Sequence, residues 1–178
     1  MCDSHHINPL FLIVAVVIII LLLLPALPAG ATGVGGIFGK GRTQVSIVGG
    51  NGYAFDKNYF ILGASVSYYV LDGLGVGMSF EKWSGDSPSI TKYAPYVQYV
   101  FYQPSAIKPY IGAFYRRTLI EGQPDINSVG ERAGIYISSG HNTYINIGFV
   151  QEVYRDCQES VYQTCRATYS ELGFTIGF

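Results

Sequence analysis

The sequence predicts an all-β protein, an eight-stranded antiparallel barrel that crosses a membrane and is preceded by a signal peptide. Three observations carry that reading. First, the last seven residues, Leu172-Gly173-Phe174-Thr175-Ile176-Gly177-Phe178, alternate large apolar with small residues and stop on an aromatic. A period of two sends one set to each face of a strand. The large set suits lipid and the small set suits a crowded barrel interior. Second, eight runs of ten to thirteen residues recur between turn signals, longer than the ~5–6 residues of a soluble strand and close to the ~9–11 of a tilted membrane strand. Third, 15 Tyr and 10 Phe accompany 22 Gly, and Tyr favours the level where an apolar ring meets water.

The amino-terminal element is an unbroken apolar run from Leu10 to Leu24, then Pro25 and Ala29-Gly30-Ala31. Fifteen apolar residues fall short of the ~20 that a spanning helix needs, but they match a signal-peptide core with a small-residue cleavage site after Ala31. Met1 to Pro9 contains no Lys or Arg, so a retained anchor is the alternative to cleavage. Residues 1–31 are read as signal, 32–42 as a flexible Gly-rich lead-in and 43–178 as the barrel. The 147 residues after the cut carry 11 basic and 11 acidic side chains, a balance that excludes nucleic acid as a partner suggested by charge. No cofactor is implied.

The strands follow in order. The first spans residues 43–53 and turns at Asp56, and the second spans 59–70 and ends at Asp72-Gly73. Residues 74–83 precede the Ser84–Ser89 loop, and 90–102 precede Gln103-Pro104. Residues 108–120 run into a loop through Asn127, and 129–138 into Ser139-Gly140-His141. Residues 142–154 lead to a loop containing Cys157 and Cys165, and 168–178 complete the set. An even number of antiparallel strands closes without an open edge, which lipid demands.

Alternation then assigns faces. Leu74, Val76, Met78 and Phe80 point to lipid over Gly75, Gly77, Ser79 and Glu81. In the second strand Phe60, Leu62 and Tyr68 point out over Gly63 and Ser67, and in the seventh Ile145, Ile147 and Phe149 point out over Asn146 and Glu152. The fifth strand is ambiguous, and of Arg116 and Arg117 the former is preferred for the interior. Glu81, Arg116, Arg132, Glu152 and Glu171 thereby converge on the lumen. Eight strands leave room only for side chains, so these five read as a salt-bridge network in preference to a conduit or a catalytic carboxylate.

Cys157 and Cys165 in an exported chain read as a disulfide, since that compartment is oxidising. Cys2 leaves with the signal. His141, the one His beyond the leader, reads as a solvated turn residue. Gly49-Gly50-Asn51-Gly52 lacks the helix and Lys of a phosphate loop and reads as relief of crowding.

From Thr43 to Phe178 the chain resembles the small outer-membrane β-barrel superfamily of OmpA-, OmpX- and OmpW-type proteins. The hairpin rhythm, Lys108-Pro109-Tyr110-Ile111-Gly112 and the terminal Gly173–Phe178 carry the resemblance. It implies residence in a Gram-negative outer membrane among lipid and lipopolysaccharide, as a monomer. It also implies insertion by the barrel-assembly machinery, with Phe174, Ile176 and Phe178 as the insertion signal. Both termini then lie in the periplasm: the connections at Asp72, Ser105 and Gly140 are the short periplasmic turns, and those at Asp56, Asp86, Asp125 and Cys157 face outward. The resemblance transfers no catalytic residue. The expected function is a non-enzymatic structural or surface-interaction role, with a narrow channel for small hydrophobic molecules and a lipid-modifying enzyme as alternatives.

Overall fold

A computed structural model describes residues 36–54, 57–85, 87–103, 106–140, 142–155 and 165–178. The predicted signal peptide and His141 lie outside the described residues. Eight strands, β1 (Thr43–Ala54), β2 (Lys57–Leu71), β3 (Leu74–Ser84), β4 (Ile90–Val100), β5 (Ile107–Ile120), β6 (Ile126–Gly140), β7 (Thr143–Tyr154) and β8 (Arg166–Gly177), pair antiparallel in sequence order and close into a barrel. The largest departure from expectation is at β6, which begins at Ile126 because Ile126, Asn127 and Ser128 still pair with Thr118, Arg117 and Arg116. Conversely, β4 ends at Val100, short of the expected Tyr102.

The register fixes the barrel's dimensions. From Gln44, which pairs with Gly177 on β8, the ladder passes Ser67, Gly77, Tyr96, Phe114, Gly130 and Glu152 to Ala167, ten residues before Gly177. Eight strands with that stagger tilt by ~40° and enclose a backbone radius of ~8 Å, wide enough for packed side chains only. At the β2–β3 hairpin the two-residue turn Asp72-Gly73 links Leu71 to its partner Leu74. Gly73 has φ +79° and a Cβ there would strike the Val100 carbonyl, so only glycine fits.

Inward glycines serve a second purpose. Tyr110 lies over Gly134 and Gly148, Phe114 over Gly130, and Tyr96 over Gly77, each where a Cβ would collide with the ring or its hydroxyl. Small residues on one strand thus hold the large interior residues of the next.

The lumen is filled in layers. At the end near the chain termini, Phe38, Tyr69, Val100, Tyr110 and Tyr136 form one apolar cluster with Ile37. At the opposite end, Tyr59, Ile61, Trp83, Ile90 and Ile120 form another. Between them Ala94, Tyr96, Phe114 and Val150 pack with the charged side chains. Outside, Phe60, Leu62, Met78, Phe80, Ile111, Ile147, Phe149, Leu172 and Phe174 stand exposed.

The described part of the lead-in, residues 36–42, packs against the barrel end. Gly36–Phe38 forms a 3-10 turn whose Ile37 and Phe38 are buried in the barrel end. Phe38 meets Tyr69, Tyr136 and Tyr144 at ring-centroid distances of 5.8, 5.1 and 5.0 Å. The Gly73 N–H donates to the Phe38 carbonyl (2.8 Å), and the Gln44 amide donates to that of Ile37 (3.2 Å). Two apolar residues among the glycines gain enough by burial to offset the entropy of ordering them.

Candidate functional site

The candidate site is the charged layer at the middle and upper part of the lumen. Five strands contribute to its main cluster: Glu81 from β3, Lys92 from β4, Arg116 from β5, Glu152 from β7 and Tyr169 from β8. Arg116 is 1% exposed. Its guanidinium lies 2.7 Å from Glu81 and 2.9 Å from Glu152 and also donates to the Tyr169 hydroxyl. Glu152, fully buried, accepts a second bond from the Ser128 hydroxyl at 2.5 Å and faces Lys92 at 3.7 Å. Lys92 stands 4.1 Å from the centre of the Trp83 ring, a cation–π arrangement that shields the ammonium from the apolar layer above. Both oxygens of Glu81 are engaged, because the Trp83 indole N–H donates to the second one at 3.4 Å.

A second cluster lies deeper. Arg132 approaches Glu171 at 4.0 Å, and the Tyr110 hydroxyl donates to the same carboxylate oxygen at 2.9 Å. The Arg132 guanidinium lies 5.1 Å from the Tyr96 ring and 5.4 Å from that of Phe114. The structure therefore brings Glu81, Arg116 and Glu152 together and sets Arg132 with Glu171 apart from them. With Lys92 the layer holds three cations and three carboxylates, Lys92, Arg116 and Arg132 against Glu81, Glu152 and Glu171. This neutrality lets charges persist in a lumen with little water, because an unpaired buried charge is strongly destabilising.

Lys92 was absent from the residues expected in the lumen. In β4 both parities are rich in apolar and aromatic side chains, so alternation alone assigns no face. The usable signal was the neighbour: Phe80 faces out and pairs with Tyr93, which leaves Lys92, opposite Glu81, facing in.

Arg117 projects outward and donates from Nε and Nη2 to a single exposed oxygen, Asp125 Oδ2, at 3.1 and 2.6 Å. Phe174, Ile176 and Phe178 lie on the outer face of the last strand. Cys165 sits just before β8, and Cys157, its expected partner, lies outside the described residues.

The chemistry available to this arrangement is limited by how fully each group is engaged. Glu152 is held between two cations and a hydroxyl, which ties up the lone pairs that a general base would use. Aromatic and aliphatic layers cover the cluster on both sides along the axis. The site is built to hold charge still.

No protein-family model matches the sequence, and no curated protein matches it. Solved structures do match in fold. The N-terminal β-barrel domain of OprF from Pseudomonas aeruginosa is 14% identical with a TM-score of 0.63, over 79% of this chain and 99% of that domain. Neisserial surface protein A is 15% identical with a TM-score of 0.54, over 77% and 96%. The outer membrane protein Ail of Yersinia pestis, in a bilayer nanodisc, is 17% identical with a TM-score of 0.52, over 77% and 99%. With the eight-stranded closure, the staggered register and the apolar outer wall, these likenesses give the chain the fold of the small eight-stranded outer-membrane barrels.

Proposed function

We propose that the protein is a non-enzymatic barrel of a Gram-negative outer membrane, its interior a structural filling and its outward loops its working surface. The observation that carries this reading is the layered lumen, in which apolar clusters at both ends enclose a neutral charge network. The membrane part is supported by the outer wall. On β2 the apolar outward side chains run from Phe60 to Val70, ten steps of ~3.3 Å which at a ~40° tilt span ~25 Å, the height of an outer-membrane apolar band. In this reading both termini are periplasmic, lipid and lipopolysaccharide surround the monomer, and the barrel-assembly machinery inserts it. A role in surface contact is in keeping with the names of two fold neighbours, a Neisserial surface protein and an attachment invasion locus protein.

The test is planar-bilayer conductance of refolded protein that first shows a heat-dependent mobility shift on SDS gels. The expected result is a shifted band and no unitary conductance. Reproducible current steps would overturn the filled-lumen reading, and a soluble protein without the shift would overturn the membrane reading. One observation favours a second reading, lateral access for small hydrophobic molecules: the β1–β8 ladder stops at Gly49–Leu172 while β1 continues to Ala54. Uptake of an apolar dye into protein-loaded liposomes at a rate above that of protein-free controls would support it.

A further inference from the structure

One face of the outer wall breaks the pattern that lipid imposes. Glu131 on β6 pairs with Gln151 on β7, and Gln151 with Thr168 on β8; all three face outward and are exposed. On β6 and β7 they form an island. The next outward pair toward the loop end is Val129–Val153, and the next toward the terminal end is Ala133–Phe149. Among the described residues neither the Glu131 nor the Gln151 side chain makes a hydrogen bond or ion pair. Acyl chains offer such groups no partner, so a polar pair enclosed by apolar ones marks a protein contact in place of a lipid one.

The same face carries a hole and a knob. A groove of about 680 Å³ runs across β4 to β8, with Val97 and Ile111 on one side, Phe149 on the other, and Glu131 and Gln151 also lining it. Ala113 and Ala133, the smallest of its outward side chains, leave it open. Phe149 is 68% exposed, the highest fraction among the described large apolar residues. On a ~40° tilt each step along a strand climbs ~2.5 Å, and each rung across a strand climbs ~3 Å. From Ala113 two rungs lead up through Glu131 to Gln151, and two steps lead back down to Phe149. Hole and knob therefore lie within ~1 Å of the same depth.

This shared depth selects the occupant. Two barrels inserted in the same sense are related by a two-fold axis along the membrane normal, which preserves depth and sets the same patch of each copy against the other. The Phe149 ring of each copy then enters the Ala113–Ala133 hole of its mate. Glu131 and Gln151 differ in depth by one rung, ~3 Å, so each Gln151 amide reaches the carboxylate of Glu131 on the second copy. The patch thus supplies its own donor and acceptor. An acyl chain fills the groove but leaves both polar groups unpaired.

We propose that this face joins two copies of the chain into a symmetric dimer. The inference rests on the outer-membrane reading above and goes beyond its monomer: the single barrel stays the folding unit, and one of its faces meets a second copy. The test uses the full chain refolded in phosphatidylcholine vesicles, with photoreactive p-benzoylphenylalanine in place of Phe149 or, four strands away on β3, of Phe80. Illumination of the Phe149 derivative should give a band of twice the chain mass whose link maps to residues 107–137 of the second copy, and the Phe80 derivative should give none. Energy transfer between donor- and acceptor-labelled copies should rise with the protein-to-lipid ratio. Ala113→Leu with Ala133→Leu fills the hole, and Glu131→Leu with Gln151→Leu removes the polar exchange; each should weaken association about tenfold or more, while Leu62→Ala on β2 leaves it unchanged. Energy transfer that stays at the level of random mixing, equal linking from Phe80, or unchanged association in either double variant overturns the proposal. Where a double variant does not refold, the link decides: one that maps outside β5, β6 and β7 refutes the interface. A heat-modifiable barrel that stays single refutes the dimer alone, whereas loss of the mobility shift refutes the membrane reading beneath it.

Discussion

Replacing Arg116 with methionine tests the lumen most directly. The substitution keeps the side-chain length and removes the one group bonded to both Glu81 and Glu152. Glu152 is fully buried and Glu81 is 12% exposed, so two carboxylates then face Lys92 alone, and the upper cluster passes from neutral to one net negative charge. Breaking a buried pair by removing one partner costs ~3–5 kcal/mol, a factor of ~10²–10⁴ in the folding equilibrium at 1.36 kcal/mol per decade. Trp83, the single tryptophan, lies over Lys92 beside the cluster and reports on it. Urea titration of the protein in micelles, followed by tryptophan fluorescence, should show a lower midpoint with an unchanged slope. Adding Glu81→Gln restores neutrality and should recover a large part of the loss. A cost below ~1 kcal/mol, typical of exposed pairs, would mean that water screens the cluster, and the filled-lumen argument would fail.

Three further outcomes follow from the same geometry. Asp125→Asn breaks the exposed Arg117 pair and should cost less than ~1 kcal/mol in the same titration, a contrast that burial alone explains. Phe38→Ala empties the aromatic socket at the terminal end; a loss of ~3–5 kcal/mol is expected, with planar-bilayer current still absent because the charge layer stays in place. Finally, the protein exported to an oxidising compartment should show no titratable thiol and a gel mobility that changes on reduction, as a Cys157–Cys165 bridge requires, with its ~2–3 kcal/mol removed by Cys157→Ser.

The sequence discloses the eight strands and the outward faces well, because lipid forces large apolar residues onto every second position and leaves glycine and serine opposite. The interior is harder to read. Tyr59, Ile61 and Tyr69 share the parity of Gly63 and Ser67, so the rule of apolar out and polar in fails at both barrel ends, where closure requires apolar filling. Lys92 was hidden by a strand with aromatic and apolar side chains on both parities. Ile37 and Phe38 were hidden by the glycines around them, since composition averages away two side chains whose effect depends on where they land. The end of β6 near Ile126 was masked by loop-forming residues that still find ladder partners on β5.

The six charges of the middle layer also make the barrel sensitive to its own completeness. Along the chain they arrive as Glu81, Lys92, Arg116, Arg132, Glu152 and Glu171. In that layer a partial barrel ending with β6 would enclose three cations and one carboxylate, and one begun from β8 and β7 would enclose two carboxylates alone. The running charge of this layer is zero after β4, rises through β5 to two positive at β6, and returns to zero only with β7 and β8. Closure after β5, β6 or β7 is thereby penalised by electrostatics, which ties the last step of assembly to the arrival of the two carboxylate-bearing strands β7 and β8.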